Sequence, residues 1–228
     1  MRVCEEFSKY ASSYGKYNVI QTRVAEKLID DTPGYPGRIL DLGCGNGTLF
    51  SRIPWELESF TGVDFSESML SHHPHPPAVK LVLGDFNDQS LFGRLGGLSL
   101  ERIYSASALQ WAHDLEEVFR SIRTLDAPVS LAIFTSGTFK TLYETARLDP
   151  ILKSSDEVME IAGRYFDAEY EIVRYALEFD SVREMFRYIK RSGVSGGRRV
   201  LDVARTKALM RDYPIDYLEF EVLFITER

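Results

Sequence analysis

Apolar and polar positions change rhythm several times along the chain. Between residues 5 and 32 they recur at helical spacing, with Val19, Val24, Leu28 and Ile29 close to one face, and Thr32-Pro33-Gly34 stops the segment. From residue 38 onward short, nearly continuous apolar runs take over, at 38–42, 59–64, 79–83, 102–105 and 129–134. Amphipathic stretches at 46–54, 66–72, 87–95 and 114–125 separate them and predict helices. Strand and helix alternating at this length predict a parallel sheet joined by crossover helices, whose strands are covered on both faces and can be apolar throughout.

After residue 136 the rhythm changes. Helices are expected at 138–147 and 154–163, then a strand at 170–179 with alternating apolar positions. Helices at 181–192 and 205–212 follow, and the run from Tyr217 to Ile225 reads as a closing strand. Residues 193–199 form the clearest flexible loop. The chain has no internal repeat. It divides into an N-terminal helical cap (1–36), a core (37–136) and a lid with the C-terminal strands (137–228), all within one domain.

Composition narrows the setting. With 228 residues, 44% hydrophobic and 27% charged, the chain suits one soluble globular domain. Its longest apolar runs, such as 128–134, are too short to span a bilayer. The start Met-Arg-Val-Cys-Glu-Glu lacks the apolar stretch of a secretory signal. The two cysteines, Cys4 and Cys44, cannot build a disulfide framework, so a cytoplasmic location is expected. His72-His-Pro-His75 is the one histidine cluster, but prolines at 74, 76 and 77 make it an extended loop with no acidic or thiol ligand beside it, so no metal is expected. The net charge of −7 conceals an asymmetry: segment 183–211 carries +7 and the remainder −14. Such a patch reads either as a docking site for an anionic partner or as a solvated helix face.

The most informative stretch is Ile39-Leu-Asp-Leu-Gly-Cys-Gly-Asn-Gly-Thr48. A strand ends in Asp41, a glycine-rich turn follows and a helix begins. The spacing Gly43-x-Gly45-x-Gly47 differs from the G-x-G-x-x-G of dinucleotide folds. A pyrophosphate needs a bare helix N-terminus, whereas Asp41 beside the turn would repel a phosphate and could bind an ammonium. Asp64 ends the second strand, where a carboxylate can take both hydroxyls of a ribose. It could instead cap the next helix, although Ser66 is the better cap and would leave Asp64 free. Gly84-Asp85-Phe86 follows the third strand and offers a carboxylate and a ring to an adenine, or is a simple turn. Together, the three acids occupy the carboxyl ends of successive parallel strands, the edge at which open α/β sheets hold ligands.

This constellation resembles the class I S-adenosylmethionine-dependent methyltransferases, whose hallmark Glu/Asp-x-Gly-x-Gly-x-Gly is matched by Asp41-Leu-Gly-Cys-Gly-Asn-Gly47. The resemblance implies a Rossmann-like α/β fold with a mostly parallel seven-stranded sheet, its last strand antiparallel, helices on both faces and a helical lid. It implies S-adenosyl-L-methionine as cofactor and S-adenosyl-L-homocysteine as product. Gly43 and Gly45 would hold the methionine part, Asp64 the ribose with Phe65 and Met69 beside it, and Asp85 and Phe86 the adenine. Ser105 and Ala106 would line the pocket near the methionine carboxylate, and Tyr10 would cap that end. One departure stands out: Leu125-Asp-Ala-Pro-Val129 replaces the Gly-Gly pair that many relatives have before strand five.

A narrower resemblance runs along nearly the whole chain. Phe7-Ser-Lys-Tyr-Ala-Ser-Ser-Tyr-Gly-Lys-Tyr-Asn-Val-Ile-Gln21, Ser105-Ala-Ser-Ala-Leu-Gln-Trp111, Phe134-Thr-Ser-Gly-Thr-Phe-Lys-Thr-Leu-Tyr-Glu144, Phe186-Arg-Tyr-Ile-Lys-Arg-Ser-Gly-Val-Ser-Gly-Gly-Arg-Arg199 and Phe220-Glu-Val-Leu-Phe224 are similar to the malonyl-acyl-carrier-protein O-methyltransferases of biotin synthesis. The implied reaction methylates the free carboxylate of malonyl-acyl carrier protein, or of malonyl-coenzyme A. Arg187, Lys190 and Arg199 are candidates to hold that carboxylate, with Tyr14, Gln110 and Trp111 shaping the substrate wall. Surface charge or helix packing would explain the same residues. An acidic carrier protein would dock on segment 183–211.

Three rivals remain. One is a methyltransferase for another small carboxylic acid or a quinone-type acceptor. Another is a nicotinamide-dependent dehydrogenase, which the glycine spacing and the lack of a catalytic His/Lys/Tyr set oppose. The third is a non-catalytic S-adenosylmethionine- or RNA-binding module, opposed by the lack of an aromatic-basic platform, so no nucleic-acid partner is expected.

Overall fold

Residues 18–192 and 203–228 are described by the computed structural model. Residues 5–17 of the expected N-terminal helix and the 193–199 loop lie outside them. The apolar runs form β1 (Arg38–Leu42), β2 (Ser59–Asp64), β3 (Val79–Leu83), β4 (Arg102–Ala106), β5 (Val129–Phe134), β6 (Ala168–Glu178) and β7 (Tyr217–Glu227). The sheet order is β3-β2-β1-β4-β5-β7-β6. Strands β1 to β5 pair in parallel, and β7 runs antiparallel to both β5 and β6.

Successive residues of a strand face opposite sides, so one sheet supports two cores. On one side Leu40, Leu42, Ile103 and Leu131 meet α3 (Ser90–Leu95), α4 (Leu115–Arg123) and α6 (Ser155–Ala162). On the other, Ile39, Phe60, Tyr104 and Ala132 meet Ile20, Val24 and Leu28 of α1 (Val19–Asp30). The same side receives Met185 and Tyr188 of α7 (Val182–Ser192) and Leu209 of α8 (Val203–Asp212). The short helices α2 (Glu67–Leu70) and α5 (Lys140–Ala146) complete the set. Local caps set the boundaries. Asp114 accepts from Glu117 N at 3.1 Å to start α4, and Ser154 with Glu157 forms a reciprocal capping box at α6.

One expected helix is absent. Residues 46–54 form turns and a short 3-10 segment, Phe50–Arg52. Gly47 takes a left-handed φ of +85°, outside the α-helical region, and Pro54 lacks an amide hydrogen, so the segment is interrupted at one end and stopped at the other. In the turn before β5, Asp126 adopts a φ of +50°, a conformation that glycine takes at lower cost.

The connection after β5 is clamped from β7. Glu221 accepts from Thr135 Oγ1 at 2.8 Å and from Arg174 Nε at 2.9 Å. Glu219 accepts from both Thr141 N (2.9 Å) and Thr141 Oγ1 (2.8 Å) at the start of α5. Gly137 passes so close that a Cβ there would lie 2.5 Å from the Glu221 carboxyl carbon. Gly137→Ala is therefore expected to lower stability by about 1–3 kcal/mol through overpacking. That corresponds to a fall of roughly 2–10 °C in the thermal unfolding midpoint; an unchanged midpoint would mean the clamp is loose.

Candidate active site

β1 lies between β2 and β4, and the chain crosses to opposite sides of it, which opens a crevice at the carboxyl edge of the sheet. A cleft sits there, lined by the glycine loop, Asp41 and Asp64. Its floor is the glycine loop. Gly43 N and Cys44 N both donate to Val63 O, at 2.8 and 2.9 Å, and Gly45 N donates to Asp64 Oδ2 at 2.9 Å. Gly43 has a φ of +79°, and a Cβ there would lie 2.3 Å from Ala108 Cβ, because the loop after β4 passes directly over it. No atom lies within 4 Å of where a Gly45 Cβ would be, and Gly45 lines the cleft. The loop therefore presents bare backbone to any occupant.

Two carboxylates line this cleft. Asp41 is 1% exposed, and neither of its oxygens has a partner among the described residues. Burial, reinforced by neighbouring Asp64, pushes its carboxyl up to about 8. Asp64 is not free, contrary to expectation. Ser66 does cap α2, accepting from Met69 N at 3.3 Å, but Asp64 Oδ1 still accepts from Ser66 N at 2.8 Å. Burial raises the Asp64 carboxyl above its ordinary value, while the hydrogen bonds from Ser66 and Gly45 oppose the rise. No lysine, arginine or histidine is among the described residues lining the cleft.

The other sequence candidates divide. Phe65, Met69, Phe86, Ala106 and Trp111 line the cleft. Ser105 does not: it is fully buried and its Oγ donates to Leu42 O at 2.7 Å, so it braces β1 while Ser107 and Ala108 take its expected place. Asp85 is exposed and outside the lining. Its Oδ1 accepts from Asn87 N and Nδ2, at 2.9 and 2.8 Å, which is the simple turn the sequence also allowed. Gln110 supports the wall from behind, its Nε2 donating to Ser107 O at 2.7 Å, where Ser107 holds a φ of +65°. Arg187 is exposed on α7, 3.9 Å from Glu184, and does not line the cleft. Tyr10, Tyr14 and Arg199, and the side chain of Lys190, lie outside the described residues.

Two of the histidines make local contacts through Nδ1. His72 Nδ1 lies 2.8 Å from Ser68 O, and His73 Nδ1 lies 2.7 Å from Pro74 O. The buried His73 ring backs the glycine loop, with its Nε2 3.1 Å from a Cβ placed on Gly47.

Sequence reasoning missed the contribution of α1. Gln21 and Ala25 line the cleft, and with Leu28 they follow the spacing of one helix face. A polar residue within an otherwise apolar helix face was the available signal. Asn46 and Thr48 of the glycine loop also line the cleft.

Comparisons with known proteins agree with this geometry. Residues 39–128 match the family model described as a methyltransferase domain. A malonyl-[acyl-carrier protein] O-methyltransferase of Chlorobium phaeovibrioides is 30% identical over 213 residues, covering 86% of this chain and 80% of that protein. Among solved structures, the YcgJ protein of Bacillus subtilis superposes with a TM-score of 0.57 at 14% identity, covering 92% of this chain and 99% of that one. Phosphoethanolamine N-methyltransferase 2 of Haemonchus contortus, solved with S-adenosylhomocysteine, gives 0.53 at 16% identity, covering 91% of this chain and 52% of that one. At these identities the two structures speak for the fold, and the sequence relative speaks for the lineage. The chain is an enzyme of the class I S-adenosylmethionine-dependent methyltransferases and belongs to their malonyl-[acyl-carrier protein] O-methyltransferase family.

Proposed function

We propose that this enzyme methylates the free carboxylate of a malonyl thioester on an acyl carrier protein, a step that serves biotin synthesis. The observation that carries the cofactor half is the buried, unpartnered carboxylate of Asp41 beside a bare glycine loop. A burial of this kind calls for a cation with donors to spare. The methionine ammonium of S-adenosylmethionine meets that need, with Gly43 and Gly45 along the methionine chain. Asp64 keeps a second lone pair on each oxygen for the ribose hydroxyls, flanked by Phe65 and Met69. Phe86 faces the adenine, and Asp85 is left to the turn it caps. The 30% identity to a malonyl-acyl carrier protein enzyme supports the substrate half.

When bound, the cofactor supplies a methyl group on a cationic sulfur. The chain's own contribution is placement. A malonyl carboxylate is ionised at neutral pH, with an ordinary pKa of about 4, and needs no base to remove a proton. The cleft accordingly requires no histidine or lysine in that role. Trp111 and the Ser107–Ala108 turn, stiffened by Gln110, form the wall nearest the exit of β4 and exclude water from the acceptor side. Holding the reactants in line converts binding into rate. A dry site also favours a step in which opposite charges cancel. Segment 183–211, with Arg187, Lys190 and Arg199, is the proposed contact for the carrier protein and the substrate carboxylate.

Three outcomes follow from this reading. Malonyl-acyl carrier protein incubated with enzyme and S-adenosylmethionine should gain the mass of one methylene; methylation confined to small free acids would transfer the assignment to another acceptor. Asp64→Ala should weaken binding of both S-adenosylmethionine and S-adenosylhomocysteine about 10- to 100-fold by calorimetry, the worth of a hydrogen bond to a charged group. For Asp41, the folded carboxyl is raised from 3.8 to about 8, so the protonated form is favoured in the free protein. Stability from this group is full below about pH 4 and is lost as pH climbs toward 8. Asp41→Asn should therefore make the ligand-free enzyme more stable at pH 8, on the order of 1–3 kcal/mol, and flatten that part of its pH profile in thermal unfolding. Parallel profiles for the two proteins would refute the assignment.

A further inference from the structure

We infer that Gln21 of α1 is a second ligand, beside Asp41, for the ammonium of the methionine part of the cofactor. The inference rests on the methyltransferase reading above and extends it to a residue outside the core motif.

Three observations support it. Gln21 lies on the face of α1 that turns inward, in step with the buried Ala25 and Leu28. A glutamine on that face needs a polar partner, since an amide buried without one costs about 1–3 kcal/mol. Its Oε1 is nevertheless buried and has no partner among the described residues, and the residue lines the cleft. The same cleft holds both unpartnered oxygens of Asp41. Once Asp41 ionises, the result is an excess of buried acceptors with no lysine, arginine or histidine among the described lining residues to satisfy them. An ammonium has three donors and no acceptor, so one such group can satisfy Gln21 and Asp41 together.

Helix α1 is also fixed in place for this task. Asn18 Nδ2 donates to Thr48 Oγ1 at 3.2 Å, and Thr48 Oγ1 donates to Asn46 Oδ1 at 3.0 Å, joining the start of the helix to the glycine loop. Beyond its other end, Tyr104 Oη donates to Thr32 Oγ1 at 2.9 Å, and Thr32 Oγ1 donates to Leu28 O at 2.7 Å. Gln21 is thus held in a set register against the loop, as a ligand-binding side chain requires.

The test compares two probes by calorimetry. S-adenosylhomocysteine carries the amino-acid part, and 5′-methylthioadenosine lacks it. Gln21→Ala and the length-preserving Gln21→Met should each weaken S-adenosylhomocysteine about tenfold and leave 5′-methylthioadenosine within about twofold. Gln21→Glu, which keeps an acceptor, should retain most of the affinity. Equal losses on both probes in the Ala and Met variants would show that Gln21 only packs the wall, and unchanged affinity for both would show that it makes no contact. Either result overturns this inference while leaving the methyltransferase reading intact. Failure of the wild-type enzyme to bind S-adenosylhomocysteine would overturn both.

Discussion

The site depends on one carboxylate that serves as a template for backbone. Asp64, at the tip of β2, receives Gly45 N on one oxygen and Ser66 N on the other. The preceding residue, Val63, receives Gly43 N and Cys44 N on its carbonyl. The loop after β1 therefore takes its shape from β2, through the three hydrogen bonds from Gly43, Cys44 and Gly45, before any ligand arrives. Each bond to the Asp64 carboxylate is worth about 1.5–3 kcal/mol when the carboxylate carries its charge. Together they oppose the penalty of burying Asp64 and hold three glycines at positive φ in a preorganised cradle. Such preorganisation is what lets binding energy go into affinity and not into ordering a loop.

Much of the fold could be read from the sequence because its strands are buried on both faces. The runs 38–42, 59–64 and 129–134 coincide with β1, β2 and β5, since continuous burial leaves a sharp edge where polar turn residues begin, while the run 79–83 coincides with β3, an edge strand with no fully buried residue. The segment 46–54 misled because its apolar spacing competes with Gly47 and Pro54, and backbone chemistry prevails over periodicity there. Within the site, Asp41 and the glycines were legible because their spacing is itself the signal. Ser105 and Asp85 were not. Both are polar residues at strand ends, and only the register of neighbouring strands decides that one turns inward to Leu42 and the other outward to Asn87. Gln21 was hidden for the opposite reason: its helix was read for apolar positions, and the one polar residue on the inward face was passed over.

The two faces of the sheet have separate tasks. The side built on α3, α4 and α6 is a closed apolar layer. The other side joins α1, the clamped loop after β5 and the helices α7 and α8 in one continuous cluster through Phe139, Phe220, Met185 and Leu209. Phe139 is buried there at a φ of +58°, a strained conformation for a non-glycine residue. Its amide donates to Glu219 O at 2.8 Å, and the Glu219 and Glu221 side chains grip the residues on either side. Strain of this kind persists only where surrounding contacts over-determine it. The same grip sets the seat on which α7 and α8, with the basic segment they carry, rest against the core.

Charge is divided between the parts in a way that bears on how an anion could react here. Among its described lining residues the cleft contains two acids and no base, while the sequence gathers a charge of +7 into segment 183–211. Taken alone, an acidic cleft would repel a malonyl carboxylate. Burial resolves the conflict for the free enzyme, because Asp41, raised to about 8, is largely protonated at neutral pH. On the proposed reading the bound state resolves it differently: the methionine ammonium cancels Asp41, and the sulfonium leaves a net positive centre facing the acceptor side. Attraction for the anionic acceptor is then greatest once the cationic cosubstrate is in place. It falls when methyl transfer removes both the sulfonium and the carboxylate charge. The charge of the reacting groups is in this way itself part of the recognition.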